Sequence, residues 1–172
     1  MYYSDIKKID VANGPGVRVS LFVSGCTHHC EGCFNAETWS FTYGQPYTEA
    51  AEAEIMEALD HEYISGFTFL GGEPMESQNR PVVYDLAEKI HTRFPEKSIW
   101  SFTGYLYEDL LKWEAEGDEY VHRLLNLLDV LVDGEFVYAR RNLRLRFRGS
   151  ENQRLIDVKK SREAGHVILW EG

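Results

Sequence analysis

Short apolar segments alternate with longer amphipathic segments along most of this 172-residue chain. Residues 17–24 (VRVSLFVS) alternate between apolar and polar positions and are rich in β-branched side chains, a pattern typical of a strand. Further strands are predicted at 66–70, 98–103 and 129–134, with a fifth at RLIDV and a last one at HVILW.

Apolar positions at helical spacing predict helices after Thr48, over 82–94 and over 106–127, and Thr48 is a suitable N-cap. Strands that alternate with helices indicate βα units and a largely parallel sheet. A closed eight-unit barrel requires about 250 residues, and this chain is long enough for about five or six units. We therefore expect an α/β fold, an incomplete and open βα barrel, in one domain over residues 1–172.

Glycine-rich and polar motifs follow four of the predicted strands directly. They are the cysteine loop after residue 24, Gly71-Gly72-Glu73-Pro74, Thr103-Gly104 and Asp133-Gly134. In parallel sheets the chemistry lies at the carboxyl ends of the strands, so these motifs are expected to meet at one edge. Simpler interpretations remain for the last three motifs, namely a strand-to-loop turn, an ordinary strand terminus and a turn-forming Asp before Gly, respectively.

Composition and charge narrow the class of protein. The net charge of −10 argues against non-specific binding to nucleic acid. The first residues (MYYSDIKKID) show no signal peptide, and no run of 18 apolar residues predicts a membrane helix. Three closely spaced cysteines make a poor disulfide framework, so a reducing cytoplasm is the expected location.

Arginines are concentrated in one segment near the C-terminal end, RRNLRLRFRGSENQR, which spans residues 140–154. A local basic patch on an acidic protein can dock an acidic surface or a phosphate group. The alternative is a solvated edge strand that is protected by its charges. Another arginine, Arg18, lies in the first predicted strand and is expected to be a surface charge.

All three cysteines of the chain, Cys26, Cys30 and Cys33, lie within SGCTHHCEGCFN. A structural zinc site normally has four ligands, and a 4Fe–4S cube has four irons to hold. Three thiols therefore leave one metal position open to a substrate or cofactor. His28 or His29 would complete a zinc site instead, although closing a four-ligand shell within one short loop is sterically awkward.

These residues carry a resemblance to a known family. The CxxxCxxC spacing is similar to that of the radical S-adenosylmethionine (SAM) superfamily. The blocks NGPGVRVSLFVSGCTHHCEGCFN, FLGGEP, FTGY, DVLVDGEF and RFRGSENQRLID resemble, in the same order, the activating proteins of anaerobic ribonucleoside-triphosphate reductase. One departure is Gly32, where the superfamily usually has an aromatic residue, and the form CEGCFN resembles the reductase-activating branch.

The resemblance implies an incomplete radical SAM barrel and a specific set of cofactors. Cys26, Cys30 and Cys33 would hold a 4Fe–4S cluster whose fourth iron binds SAM. The methionine amino group would lie at Gly71, Gly72 and Glu73. Thr103 and Gly104 would contact the SAM ribose or carboxylate, and Asp133 would orient SAM or help to bind a cation.

The resemblance also implies a protein substrate, the anaerobic ribonucleoside-triphosphate reductase, on which the activase generates a glycyl radical, and an electron donor such as flavodoxin. No nucleic-acid or membrane partner is expected. One alternative is an activase of another glycyl-radical enzyme, such as pyruvate formate-lyase. Others are a radical SAM enzyme that acts on a small molecule and, in a different class, a non-catalytic zinc-binding interaction module.

Overall fold

The computed structural model describes every residue from Met1 to Gly172. Its strands are β1 (Tyr2–Asp10), β2 (Val17–Val23), β3 (Gln45–Pro46), β4 (Ile64–Gly71), β5 (Ser98–Phe102), β6 (Val130–Asp133) and β7 (Arg154–Asp157). Its helices are α1 (Glu49–Leu59), α2 (Arg80–Arg93), α3 (Tyr107–Ala115), α4 (Glu119–Leu127) and α5 (Val158–Ala164). None of these helices has the length and apolarity needed to cross a membrane.

The strands form one open sheet in the order β3-β1-β2-β4-β5-β6-β7. The four central strands, β2, β4, β5 and β6, run parallel and lie side by side in chain order. The outer strands β1, β3 and β7 are antiparallel to their neighbours. The α/β class is therefore confirmed, but the parallel strands number four. The expectation of five or six βα units was wrong, because no crossover helix connects β6 to β7, and β7 runs back antiparallel.

The two faces of the sheet differ in what they pack against. Side chains of successive strand residues point to opposite faces. One face, which includes Leu21 and Phe69, joins residues of all five helices in a cluster of 24 buried apolar side chains. The other face carries a smaller apolar cluster around Trp100, together with the buried polar side chains of Arg18 and Ser20. The helices therefore cover the first face, and the buried polar side chains of Arg18 and Ser20 lie on the second face.

The predicted helix over 106–127 is two helices, α3 and α4. Gly117 interrupts the helix with a backbone φ of +100°, a conformation that glycine adopts at little cost. Asp118 then begins the next helix, because its carboxylate accepts a hydrogen bond of 2.9 Å from Val121 N. The predicted N-cap at Thr48 is confirmed by a hydrogen bond of 3.3 Å from Ala51 N to its hydroxyl.

The segment HVILW does not form the predicted last strand. Its only ladder contact is an isolated bridge between Leu169 and Ile156. Its aromatic end turns to the second face of the sheet, where the rings of Trp170 and Trp100 lie 4.9 Å apart. Packing on that aromatic cluster takes the place of a continuous ladder. Strand β1 and helix α5 had no prediction, since β1 is rich in charged residues and α5 is only seven residues long.

The prediction that Arg18 is a surface charge was wrong, because the residue is fully buried in β2. Its guanidinium donates to neutral oxygens only, including Thr68 Oγ1 and Phe67 O at 2.9 Å each and the hydroxyl and carbonyl of Ser98 at 2.9 and 3.0 Å. Burial lowers the pKa of Arg18 to about 10, with the charges of Asp129 and Asp10 opposing the change. The side chain therefore remains a cation at neutral pH and ties β2, β4 and β5 together.

Candidate functional site

A cavity of about 450 Å³ lies at the carboxyl ends of the parallel strands. Its wall contains members of all four predicted motifs: Cys26, Cys30, Cys33, Gly71, Gly72, Glu73, Thr103, Gly104 and Gly134. The structure thus brings these sequence segments together around one space, as expected for a sheet whose central strands run parallel.

The cysteine loop turns sharply between its thiols. Cys26 is buried and Cys30 and Cys33 are half-buried, and all three are free thiols. The loop passes through left-handed backbone conformations at His29, with φ of 51°, and at Gly32, with φ of 71°. An added Cβ at Gly32 would lie 2.5 Å from the ring of Tyr138. The positive φ and this contact both favour glycine at position 32.

The surroundings of two of the thiols, Cys26 and Cys30, favour the protonated form. Burial raises the pKa of the Cys26 thiol to about 12, and the negative charges of Glu73 and Glu76 contribute, against opposing backbone N–H groups. Burial and then the charge of Glu135 raise the pKa of Cys30. A metal centre held by these two thiols would therefore release protons on binding.

The donor set fits a cluster better than a single metal ion. No three His, Cys, Asp or Glu side chains stand close enough together to hold one ion. A structural zinc ion needs four donors within about 2.3 Å, whereas a cube distributes its thiolate ligands over different irons and so holds them further apart. All three thiols line one cavity, as a cluster held by three cysteines requires.

A second observation fits a group in the cavity that accepts hydrogen bonds. Trp39 lines the cavity, and its indole Nε1 is buried without any hydrogen-bond partner. Its ring stacks on His29 of the cysteine loop, with centroids 4.4 Å apart and planes 10° apart. A buried N–H without a partner is unfavourable, and a cluster sulfur or a cofactor oxygen would satisfy it.

Glu73 is the centre of the hydrogen-bond network beside the cavity, and it is 1% exposed. Its Oε1 accepts hydrogen bonds from Thr103 Oγ1 at 2.9 Å, Gly104 N at 2.6 Å and His28 Nε2 at 2.8 Å. Its Oε2 accepts one hydrogen bond, from Met75 N at 2.8 Å, and can accept a second. One carboxylate therefore joins the cysteine loop to the two motifs that follow β4 and β5.

His28 bridges two carboxylates from within the cysteine loop. Its Nε2 lies 2.8 Å from Glu73, and its Nδ1 lies 2.9 Å from Glu135 Oε1. Both ring nitrogens donate only in the protonated imidazole. Burial by itself lowers the pKa of His28, but Glu73 and then Glu135 outweigh it and raise the pKa to about 9. The sequence suggested His28 only as a zinc ligand, and its role as a cross-link was missed.

Two further polar residues that fix the cysteine loop were also missed. Glu76 Oε1 accepts hydrogen bonds from Thr27 N at 2.9 Å and from the Thr27 hydroxyl at 2.7 Å. The amide of Asn79, 1% exposed, donates to Ser24 O and to Glu73 O, at 3.0 Å each. Their place just after GGEP was the available signal, since a polar residue that follows a strand end can reach back to the neighbouring strand.

The two glycines of GGEP allow close packing of backbones. An added Cβ at Gly71 would lie 2.6 Å from Val23 O, and one at Gly72 would lie 2.7 Å from Gly25 O. Gly72 N donates to Val23 O at 2.7 Å, which holds this turn against the start of the cysteine loop. Both glycines therefore serve the packing of the two loops and also line the cavity.

The structure places Asp133 differently from the other predicted site residues. The cavity wall includes Gly134 but not Asp133, which is fully buried. The carboxylate of Asp133 accepts a hydrogen bond from Tyr107 N at 2.8 Å and pairs with Arg154 at 2.5 Å. Arg154 also pairs with Glu108 at 2.7 Å. Both oxygens of Asp133 are thus engaged in holding α3 and β7.

Comparison with known proteins agrees with this geometry, since residues 12–156 match the 4Fe-4S single cluster domain family, of which the chain is a member. The anaerobic ribonucleoside-triphosphate reductase-activating protein of Enterobacteria phage T4 is 42% identical over 155 residues, which cover 90% of this chain and 93% of the relative. The proteins of the same name from Vibrio cholerae and Escherichia coli K12 are 42% and 39% identical, each over 89% of this chain and 96% of the relative. The chain belongs to the family of anaerobic ribonucleoside-triphosphate reductase-activating proteins.

Proposed function

We propose that this protein is a radical SAM activase that generates a glycyl radical on anaerobic ribonucleoside-triphosphate reductase. The main support is the cavity that places the three thiols of CxxxCxxC beside Glu73 and Gly104, with no fourth cysteine in the chain. When bound, a reduced 4Fe–4S cluster would supply the one electron needed to cleave SAM into methionine and a 5′-deoxyadenosyl radical. Transfer of a hydrogen atom from a glycine Cα of the reductase would then give 5′-deoxyadenosine and the glycyl radical. A cytoplasmic donor such as flavodoxin would supply the electron.

Cys26, Cys30 and Cys33 would hold the cluster through three of its four irons. With three cysteine ligands, such a cluster would keep one iron available to SAM, whereas a closed structural site would not. The unpartnered Nε1 of Trp39 would donate to the cluster or to SAM. Hydrogen bonds to cluster sulfurs adjust the reduction potential, so this donor would act on the ease of electron transfer.

Gly71, Gly72 and Glu73 would bind the methionine end of SAM. The turn lines the cavity, and Glu73 Oε2 has capacity for one more hydrogen bond, which suits an ammonium group. Thr103 and Gly104 lie on the same wall and would contact the ribose or the carboxylate. We assign Asp133 no contact with SAM, because Tyr107 and Arg154 engage its carboxylate.

The fold proposed for this activity is an incomplete radical SAM barrel over residues 1–172. The support is the sequential order of the parallel strands, with every helix on the same face, which is the arrangement of a βα barrel. Because the sheet is open, a loop of a protein substrate can approach the cavity from the side. The buried, hydrogen-bonded residues around Glu73 would keep SAM fixed while such a loop enters.

The proposal is tested by incubating the reconstituted protein anaerobically with SAM, a reductant and the reductase. We expect methionine and 5′-deoxyadenosine to form together with a glycyl radical signal on the reductase. A matched variant, Cys30→Ala, should give none of these products. If the wild-type protein binds a cluster but forms no glycyl radical on the reductase, while activating pyruvate formate-lyase, the proposed partner is wrong.

A further inference from the structure

The loop between β6 and β7 contains five arginines that form no ion pair with an Asp or Glu side chain, although Arg146 donates to Gly172 O at 3.2 Å. They are Arg140, Arg141, Arg144, Arg146 and Arg148, and none lies within 4.0 Å of an Asp or Glu side chain. Outside this loop every arginine except the buried Arg18 forms at least one such ion pair. The chain has 28 acidic residues, so five unpaired neighbouring arginines are not a consequence of composition.

These arginines create a strong charge asymmetry. The segment RRNLRLRFR (140–148) contains five positive charges and no acidic residue. Because the net charge of the whole chain is −10, the rest of the protein carries a net charge of −15. A separation of this kind orients an approaching protein that carries a complementary acidic surface.

The same loop exposes apolar side chains between its charges. Leu143 is 92% exposed, and Tyr138 is 44% exposed with the guanidinium of Arg141 stacked 3.8 Å from its ring centre. The guanidinium groups of Arg140 and Arg144 make no hydrogen bond within the chain. Arginine and tyrosine are enriched at protein interfaces, and the exposed leucine adds an apolar contact area beside them.

The inner side of the loop belongs to the cofactor cavity. Leu145, Phe147 and Arg148 line that cavity, so the segment separates it from the outer arginines. The loop also touches the cysteine loop, because the rings of Phe136 and Phe34 lie 5.2 Å apart. A partner seated on the outer side would therefore be held at the rim of the cavity.

We infer that residues 136–148, the docking segment, bind an acidic protein surface with an apolar recess on the reductase whose glycine is oxidised. The inference rests on the proposed function, which requires the reductase to lie beside this cavity. A nucleic acid fits less well, since the −15 charge on the rest of the chain repels a long polyanion and Leu143 gains nothing from phosphate.

The test compares two double charge reversals that change the net charge equally. Arg140→Glu with Arg144→Glu alters the docking segment, and Lys112→Glu with Lys160→Glu alters exposed lysines on α3 and α5 that form no ion pair. The binding of each variant to the anaerobic ribonucleoside-triphosphate reductase of the same organism is measured at several salt concentrations. We expect the arginine variant to bind about tenfold more weakly or worse, with a reduced salt dependence, and the lysine variant to bind like the wild type.

A second variant, Leu143→Ala, tests the apolar contact and should weaken binding about fivefold or more without changing its salt dependence. Equal affinity of the wild type and the arginine variant would overturn the inference. It would also be overturned if the arginine variant lost affinity for single-stranded DNA or heparin but not for the reductase.

The change of the reduced-cluster signal with SAM, recorded without the reductase, reports on the proposed function separately. If that change is present in the wild type but the arginine substitutions do not affect reductase binding, the docking inference alone fails. If the wild type itself shows no such change, the proposed function fails, and the inference fails with it.

Discussion

His28 and Glu73 form an ion pair of 2.8 Å, and their side chains are only 8% and 1% exposed. The pair connects the loop that carries all three cysteines to the turn after β4. The same Glu73 oxygen also accepts hydrogen bonds from Thr103 and Gly104, which follow β5. The position of the cysteine loop is therefore fixed by the chain itself before any cofactor binds.

Removal of the imidazole should loosen that loop. We expect His28→Ala to lower the free energy of unfolding of the metal-free protein by about 3 kcal/mol, because it leaves Glu73 without its cationic partner in a buried site. Urea unfolding measures this directly. The control is His91→Ala, an exposed position on α2 that makes no ion pair. Equal stability of the two variants would show that the His28–Glu73 pair contributes nothing to the fold.

Glu73 and Asp133 are both buried carboxylates that the sequence placed at the SAM site. Substitution of each should affect SAM binding and stability differently. Glu73→Gln should abolish the effect of SAM on the reduced cluster, since it removes the charge proposed to bind the methionine amino group. Asp133→Asn should lower stability by about 2 kcal/mol or more through loss of its pair with Arg154 but retain the SAM effect. Titration of SAM, followed by the cluster spectrum, distinguishes them. Retention of SAM binding by Glu73→Gln would refute the assignment.

The buried guanidinium of Arg18 should be a major determinant of stability. Arg18→Met removes donors from buried and partly buried oxygens on β4 and β5, so we expect a loss of about 3 kcal/mol or more. Arg18→Lys, which keeps the charge but loses the planar set of donors, should lose less. Chemical denaturation checks both, and a methionine variant as stable as the wild type would contradict this role.

Acid should weaken the contacts between α3, α4 and α5. Glu114 on α3 accepts from Arg162 on α5 at 2.7 Å, and from His122 on α4 at 2.7 Å. The hydrogen bond from Arg162 lowers the pKa of Glu114, against the opposing effect of burial, and His122 adds to the change. A carboxylate with a lowered pKa stabilises the fold above its ordinary pKa of 4.5, and this contribution is lost as the pH falls through the lowered value.

We therefore expect Arg162→Gln to reduce the loss of stability below pH 4.5, by about 1 kcal/mol. The measurement is urea unfolding at a series of pH values. Arg123→Gln is the matched control, because Arg123 pairs only with the exposed Glu119. The same pH dependence in all three proteins would refute this explanation.

The sequence predicted the central strands and the meeting of the cysteines, GGEP and TG because each depends on local pattern. Alternating or apolar runs identify strands, and a glycine at each strand end identifies the turn. Parallel topology then brings the strand ends together. Gly134 also lies at the cavity, as expected for a residue at a strand end, but its neighbour Asp133 does not.

The failures have a common physical origin, since each depends on contacts distant in sequence. The alternating pattern of β2 predicts that Arg18 is a surface charge. Its burial depends on hydrogen bonds to oxygens of Phe67, Thr68 and Ser98, which are distant in sequence. The sequence around His28 suggests a metal ligand, whereas in the fold its ring lies between the carboxylates of Glu73 and Glu135. The residues HVILW have a strand composition, but the aromatic cluster around Trp100 determines where Trp170 goes.

The most direct test of the proposed activity is electron paramagnetic resonance of the anaerobically reconstituted, reduced protein, with and without SAM. Our account predicts the signal of a reduced 4Fe–4S cluster that changes when SAM is added, because three cysteines leave one iron open. A protein that retains zinc and shows no cluster signal, or a cluster signal that SAM leaves unchanged, would contradict it.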